Sequence, residues 1–107
     1  MFTRIVELAT KPGKNEQLST TINDRVLPIL KRQKGFVDEM VFVSDKEDNR
    51  VLALSFWNTK QDADQYHRTD YPKVHEAIQS LLDAEPVVRT FEVHTSTTHK
   101  IATNKAA

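Results

Sequence analysis

Residues 36–57, FVDEMVFVSDKEDNRVLALSFW, decide the fold. Two apolar runs, 36–44 and 50–57, flank Asp45-Lys46-Glu47-Asp48-Asn49, the composition of a hairpin tip between two strands. On a strict two-residue period, Phe36, Met40 and Phe42 share one side of the first strand, and Val37, Val41 and Val43 the other. In the second strand Val51, Ala53 and Trp57 oppose Leu52, Leu54 and Phe56. A sheet with one wet face carries polar residues on alternate positions. These two strands are apolar on both sides, so both faces of the sheet need cover.

Upstream, Leu18, Ile22, Val26 and Ile29 recur at helical spacing between about Asn15 and Lys34. Lys31, Arg32 and Lys34 crowd the last turn, and Gly35 stands where a left-handed cap belongs. Pro28 cannot donate to the carbonyl of Asp24, so a kink or an irregular end is expected there. Residues 2–9 form a strand before the Pro12-Gly13 turn, with Phe2, Val6 and Leu8 on one side. Arg4 and Glu7 interrupt it, which suits an edge or partly exposed strand. Downstream, Thr59 with Asp62 starts a short helix carrying Ala63, Tyr66 and His67. A second helix starts near Asp70, accepts Pro72 in its first turn and aligns Tyr71, Val74, Ile78, Leu81 and Leu82. A last strand alternates from Val87 to about Thr95.

The order strand, helix, strand, strand, helix, strand is the ferredoxin-like βαββαβ arrangement, an α+β fold with a four-stranded antiparallel sheet and helices on one face. Two helical layers cover one side only. The other side is expected to pack on the sheet of a second copy, giving a homodimer of the dimeric α+β barrel kind. Residues 1–95 make one domain. Residues 96–107 are a C-terminal extension that either reaches the partner's sheet edge or stays solvated, with a mobile end.

Composition narrows the functions. Lys plus Arg equals Asp plus Glu at 15 each, so no net field draws in nucleic acid or an anionic membrane. The chain has no cysteine, which removes disulfides, thiolate nucleophiles and iron–sulfur clusters. Two glycines in all leave no phosphate-cradling loop. No HxxxH or HExxH pair is present, and no cofactor or metal site is expected. The N-terminus lacks a signal-peptide core, and the cytoplasm is the default location.

The run from Phe56 to His67, FWNTKQDADQYH, resembles the W-x-[ST]-x-x-[AD]-x-x-x-x-H stretch of antibiotic biosynthesis monooxygenase (ABM) domains. Leu81-Leu82 with Pro86, Pro12-Gly13-Lys14 and Gly35-Phe36 resemble that family's usual loops. The likeness spans roughly residues 2–95. It implies a monooxygenase without bound cofactor, oxidising a small aromatic or enolisable substrate that itself supplies the electron to oxygen as a phenolate or enolate. Such a site needs a dry pocket, a base and donors for the anion. The candidates are His67 and His75 as base, with Trp57, Tyr66 and Tyr71 as substrate-binding residues. Each has a plainer reading, since Trp57 and His75 suit a packed core, His67 suits a helix C-terminus, and the tyrosines suit helix edges. Two features depart from the family. The asparagine that better-studied oxygenases carry before the strand tryptophan is replaced here by Ala53 or Ser55. The first strand lacks the asparagine of the haem-degrading branch, so haem cleavage or isomerisation is disfavoured. The alternative is a non-enzymatic dimer that binds a small ligand.

Overall fold

The computed structural model describes residues 1–101, and the part of the C-terminal extension from 102 to 107 lies outside the described residues. Four strands, β1 (Phe2–Ala9), β2 (Phe36–Val43), β3 (Arg50–Trp57) and β4 (Val87–Glu92), form one antiparallel sheet in the order β2-β3-β1-β4. The α+β arrangement is the one expected. The place of β1 is not: it lies between β3 and β4 and is no edge strand. Arg4 points under the helices, and Glu7 points outward between Arg50 and Arg89, so neither charge marks an exposed margin.

One nearly continuous helical stretch follows β1, made of α1 (Asn15–Thr21), a π-turn (Ile22–Val26) and α2 (Leu27–Lys31). The π-turn is the irregularity expected of Pro28. With no N–H at 28 and a ring that would strike the carbonyl four residues back, the helix widens, and Leu27 N–H donates to Ile22 O, five residues back. Gly35 follows at φ +80°. Thr59 caps α3 (Lys60–Thr69), its Oγ1 accepting from Asp62 N–H at 3.1 Å. After a break at Asp70, α4 (Tyr71–Ile78) runs on through a 3-10 turn.

The helices pack on one face of the sheet. Leu18, Ile22, Val26, Leu30, Ala63, Tyr66, Val74 and Ile78 meet Phe2, Leu8, Val51 and Trp57 there. The two-residue period fails at one point on this face. Phe36 pairs with Trp57 but Asp38 pairs with Phe56, so Val37 is the extra residue of a bulge. Phe36 therefore sits on the helix side, edge-on to Trp57 at 5.7 Å, and does not share a face with Met40 and Phe42.

The opposite face is built in rows across the strands: Asp38, Phe56, Thr3, Phe91; then Met40, Leu54, Ile5, Arg89; then Phe42, Leu52, Glu7, Val87. Met40, Phe42, Val87 and Phe91 are exposed on it. β4 ends at Glu92, earlier than the alternation implies, and the chain then turns over the outer face. His99 Nε2 reaches Asp38 Oδ2 at 3.1 Å, and the His99 ring lies 6.2 Å from Phe56.

Candidate functional site

Four rows cross the helix-facing side of the sheet, Val43, Val51 and Leu8 forming the last of them. Phe36, Trp57 and Phe2 form one and Val41, Ala53 and Val6 another, and both are apolar. The row between them is Glu39, Ser55 and Arg4. With strands spaced about 4.8 Å apart, the Arg4 and Glu39 backbones stand about 10 Å apart, with the short serine between them. Above this row the helices leave a cavity of about 40 Å³, room for one or two water-sized groups. Its walls are apolar: Val6, Leu8, Ala53, Val74, Ile78, and Ile22 and Val26 from the π-turn. Arg4, Glu39, Ser55, Tyr66 and Tyr71 supply the polar atoms.

Arg4 is the centre of this arrangement, although its residue is only 4% exposed. Its guanidinium carbon lies 5.3 Å from the Tyr66 ring centre and 4.9 Å from that of Tyr71. Nη1 donates to His67 Nδ1 at 3.0 Å. Nε and Nη2 are buried and have no hydrogen-bond partner among the described residues. Burial pulls the guanidinium below its ordinary value, and the neighbouring tyrosines and Asp64 oppose that. An arginine nevertheless keeps its charge in a protein. Glu39 Oε2 is likewise buried without a partner. Burial, and then the adjacent Asp38, push its carboxyl up. No ion pair joins Arg4 and Glu39 within 4 Å among the described residues, so the cavity holds a cation and an acid that do not satisfy one another.

The residues singled out from sequence fall in several places. Tyr66 and Tyr71 line the cavity, and burial raises both phenols, so they remain donors at neutral pH. His67 is largely exposed and stacks on Tyr71 at 5.2 Å. Because its Nδ1 accepts from Arg4, its lone pair is committed and its proton belongs on Nε2. Burial first, and then Arg4, hold the imidazole below its ordinary value, with Asp64 opposing. Trp57 is fully buried, stacked on Tyr66 at 5.1 Å, and its Nε1–H donates to Ser55 Oγ at 2.9 Å. It supports the cavity from behind and does not line it. His75 is also absent from the lining, with Nε2 3.2 Å from Glu85 Oε2. No group of three or more metal-ligating side chains is found among the described residues.

Arg4 and Glu39 are the polar residues that sequence reasoning passed over. A signal existed for Arg4, which shares its side of β1 with Phe2, Val6 and Leu8. Glu39 likewise shares its side of β2 with Val41, and the bulge at Val37, which precedes it, leaves that alternation unchanged.

Residues 1–79 match the family described as Antibiotic biosynthesis monooxygenase. No curated protein matches the chain in sequence. Among solved structures, a monooxygenase of Streptomyces coelicolor in complex with Nanaomycin D superposes with a TM-score of 0.77 at 16% identity, covering 92% of each chain. SnoaB, a cofactor-independent oxygenase of Streptomyces nogalater, gives 0.74 at 14% identity over 92% of this chain and 97% of its own. A conserved protein of Methanosarcina mazei Go1 gives 0.69 at 19% identity over 85% and 91%. At these identities the structural likeness speaks for the fold.

Proposed function

Since the chain belongs to the antibiotic biosynthesis monooxygenase family, we propose that it is a monooxygenase needing no bound cofactor. Its substrate is a small aromatic or enolisable molecule, bound in the cavity under the helices. The observation that carries this reading is Arg4: a buried cation that lines an apolar-walled cavity, with two nitrogens that have no partner among the described residues, is a site for an organic oxyanion. A substrate anion held there, away from water, supplies the electron to dioxygen itself. Tyr66 and Tyr71 pack on the guanidinium and present phenols to the substrate. His67 is assigned a positioning role, fixing one edge of Arg4 so that the other edge meets the ligand. A ring enters only as the helical wall yields. The π-turn, which contributes Ile22 and Val26, is the irregular part of that wall.

The same reading includes a homodimer. The outer face exposes Met40 and Phe42 on β2 and Val87 and Phe91 on β4, with Leu52, Leu54, Phe56 and Ile5 on the strands between them, an apolar surface that a second sheet would bury. His99, which lies against Asp38 and Phe56, would then sit at the rim of that contact. Among the described residues no helix is long and apolar enough to cross a membrane, and a cysteine-free chain suits the cytoplasm.

Oxygen uptake with a panel of hydroquinones, run with air and under argon, tests the reaction. Oxygen-dependent turnover supports it. Tight binding of the same compounds without oxygen consumption would favour the non-enzymatic ligand-binding dimer, a reading that the small cavity and the absence of an asparagine at Ala53 or Ser55 keep in play.

A further inference from the structure

We infer that Glu39 is the proton acceptor of this cavity, taking the proton of an acidic hydroxyl at one end of a conjugated ligand while Arg4 holds the oxygen at which the released charge collects. The inference rests on the reading of the cavity as a substrate site, and it assigns the base to a residue that neither the family likeness nor the histidine pattern picks out.

Elimination and geometry lead to the same residue. His67 has no lone pair to offer the cavity, because Nδ1 accepts from Arg4 and the other ring nitrogen then carries the hydrogen. His75 is bound to Glu85 outside the lining. Tyr66 and Tyr71 are held as phenols by their burial and are donors. Among the cavity's polar residues Glu39 alone has a buried acceptor oxygen with no partner among the described residues. Its carboxyl, raised by burial, is a stronger base when ionised than an exposed glutamate.

The spacing defines the ligand. Glu39 and Arg4 stand on β2 and β1 with β3 between them, and the small Ser55 leaves the middle of the row open. A ligand that touches both therefore carries two oxygens across a conjugated path. One is a phenolic or enolic hydroxyl toward Glu39 Oε2, and the other is a carbonyl or phenolic oxygen toward Arg4 Nε and Nη2. The step is a proton transfer. The ligand O–H bond breaks, its electron pair stays on the ligand and delocalises toward the oxygen facing Arg4, and the proton forms a bond to Glu39 Oε2. Nothing is oxidised or reduced at this stage.

The probe is 4-nitrophenol, whose anion is coloured and whose nitro oxygens lie across the ring from its hydroxyl. Titrated into the intact protein at a pH where the free phenol is mostly neutral, it should turn to the coloured anion on binding. Calorimetry in buffers of different ionisation enthalpy should show no proton reaching solvent, because Glu39 keeps it. In Glu39→Gln the bound probe should either stay colourless or ionise only with about one proton released per ligand. Arg4→Met should bind it colourless, and His75→Gln, outside the lining, should retain the wild-type proton count. Glu39→Asp, which keeps the carboxyl, should restore part of the uptake and guards against loss of folding in Glu39→Gln.

A wild-type proton count and colour in Glu39→Gln overturns the inference. So does their loss in His75→Gln, or a failure of the wild-type protein to bind the probe at millimolar concentration. If the probe ionises as described but no hydroquinone consumes oxygen, the monooxygenase reading fails and the proton acceptor stands. If oxygen is consumed and Glu39→Gln retains the wild-type rate, the acceptor fails and the monooxygenase stands. A true acceptor should cost roughly 10²–10⁴-fold in kcat.

Discussion

Replacing Arg4 by methionine should make the protein at least as stable and far worse at holding an anion. Burying a guanidinium costs several kcal/mol after relaxation. Against that cost the chain sets one hydrogen bond to the neutral His67 and two ring faces. These contribute about 1.5–3 and about 0.5–2 kcal/mol each. The sum is close to even, while Nε and Nη2 return nothing inside the chain. Arg4→Met keeps the length, removes the charge, and leaves His67 Nδ1 to water at an exposed position. Stability should change by about 0 to 4 kcal/mol in the stabilising direction, as for buried ionic groups replaced by apolar ones. An anionic ligand would lose two charge-assisted hydrogen bonds, about 3–6 kcal/mol, or roughly 10²–10⁴-fold in affinity or kcat/KM. Urea unfolding gives the first quantity and ligand titration or oxygen uptake the second. Loss of more than about 2 kcal/mol of stability with kcat/KM unchanged would show that Arg4 is structural and refute the reasoning.

Leu54→Asp, at the centre of the outer face, should convert the proposed dimer to a monomer in sedimentation. Each large apolar side chain buried is worth about 2 kcal/mol and twofold symmetry counts it twice, so the dimer should weaken by about a thousandfold; a dimer that survives removes the sheet-on-sheet contact. Gly35→Ala should destabilise by about 2 kcal/mol and lower Tm by about 8 °C or more, because φ is +80° and a Cβ would fall 2.1 Å from Asp62 Oδ2. Gly13→Ala, also at positive φ but with nothing within 4 Å, isolates the conformational part. The His67 value is held below the ordinary 6.5, so the folded state binds that proton more weakly than the unfolded chain. Its stabilisation is intact above 6.5 and is lost as pH falls toward the lower folded value, and His67→Gln should flatten the Tm profile across that window. Glu39 runs the other way. Its carboxyl is raised above 4.5, so its share of stability is full below 4.5 and lost as pH rises through the folded value. The Tm of Glu39→Gln should therefore gain on wild type as pH rises from about 4.5 toward neutrality.

The order of elements, the Thr59 cap, the left-handed Gly35 and the break caused by Pro28 could be read from residues because each has a local cause. The bare outer face was equally legible, since alternation tells which side chains share a face. What alternation cannot supply is depth. Arg4 lies on the apolar side of β1, yet its burial depends on Tyr66 and Tyr71, more than sixty positions away, closing over it. The place of β1 between two strands rests on pairing with residues 50–57 and 87–92, which no local pattern records. At Val37 one extra residue reverses the faces of everything before it, taking Phe36 from the outer face to the Trp57 side. Tryptophan and histidine attracted attention by type. The structure commits the Trp57 N–H to Ser55 and the His67 lone pair to Arg4, and so moves the open polar atoms to residues that drew none.

The row Glu39–Ser55–Arg4 is the one place on the helix-facing side where the chain's interests as a folded object are not served. The neighbouring rows, Phe36–Trp57–Phe2 and Val41–Ala53–Val6, show that apolar side chains fit this surface. A methionine or leucine at position 4 and a glutamine or valine at 39 would remove two desolvated groups from a small domain with little stability to spare. If Arg4 and Glu39 neutralised one another, the row would be an ordinary buried ion pair. They line the same cavity without touching, each with an atom left open. Buried polar atoms without partners are rare in folded chains, and here three, two donors and one acceptor, belong to residues that line one void. Something else must complete the row, and the ligand inferred above, which accepts from Arg4 and gives a proton to Glu39, would do so.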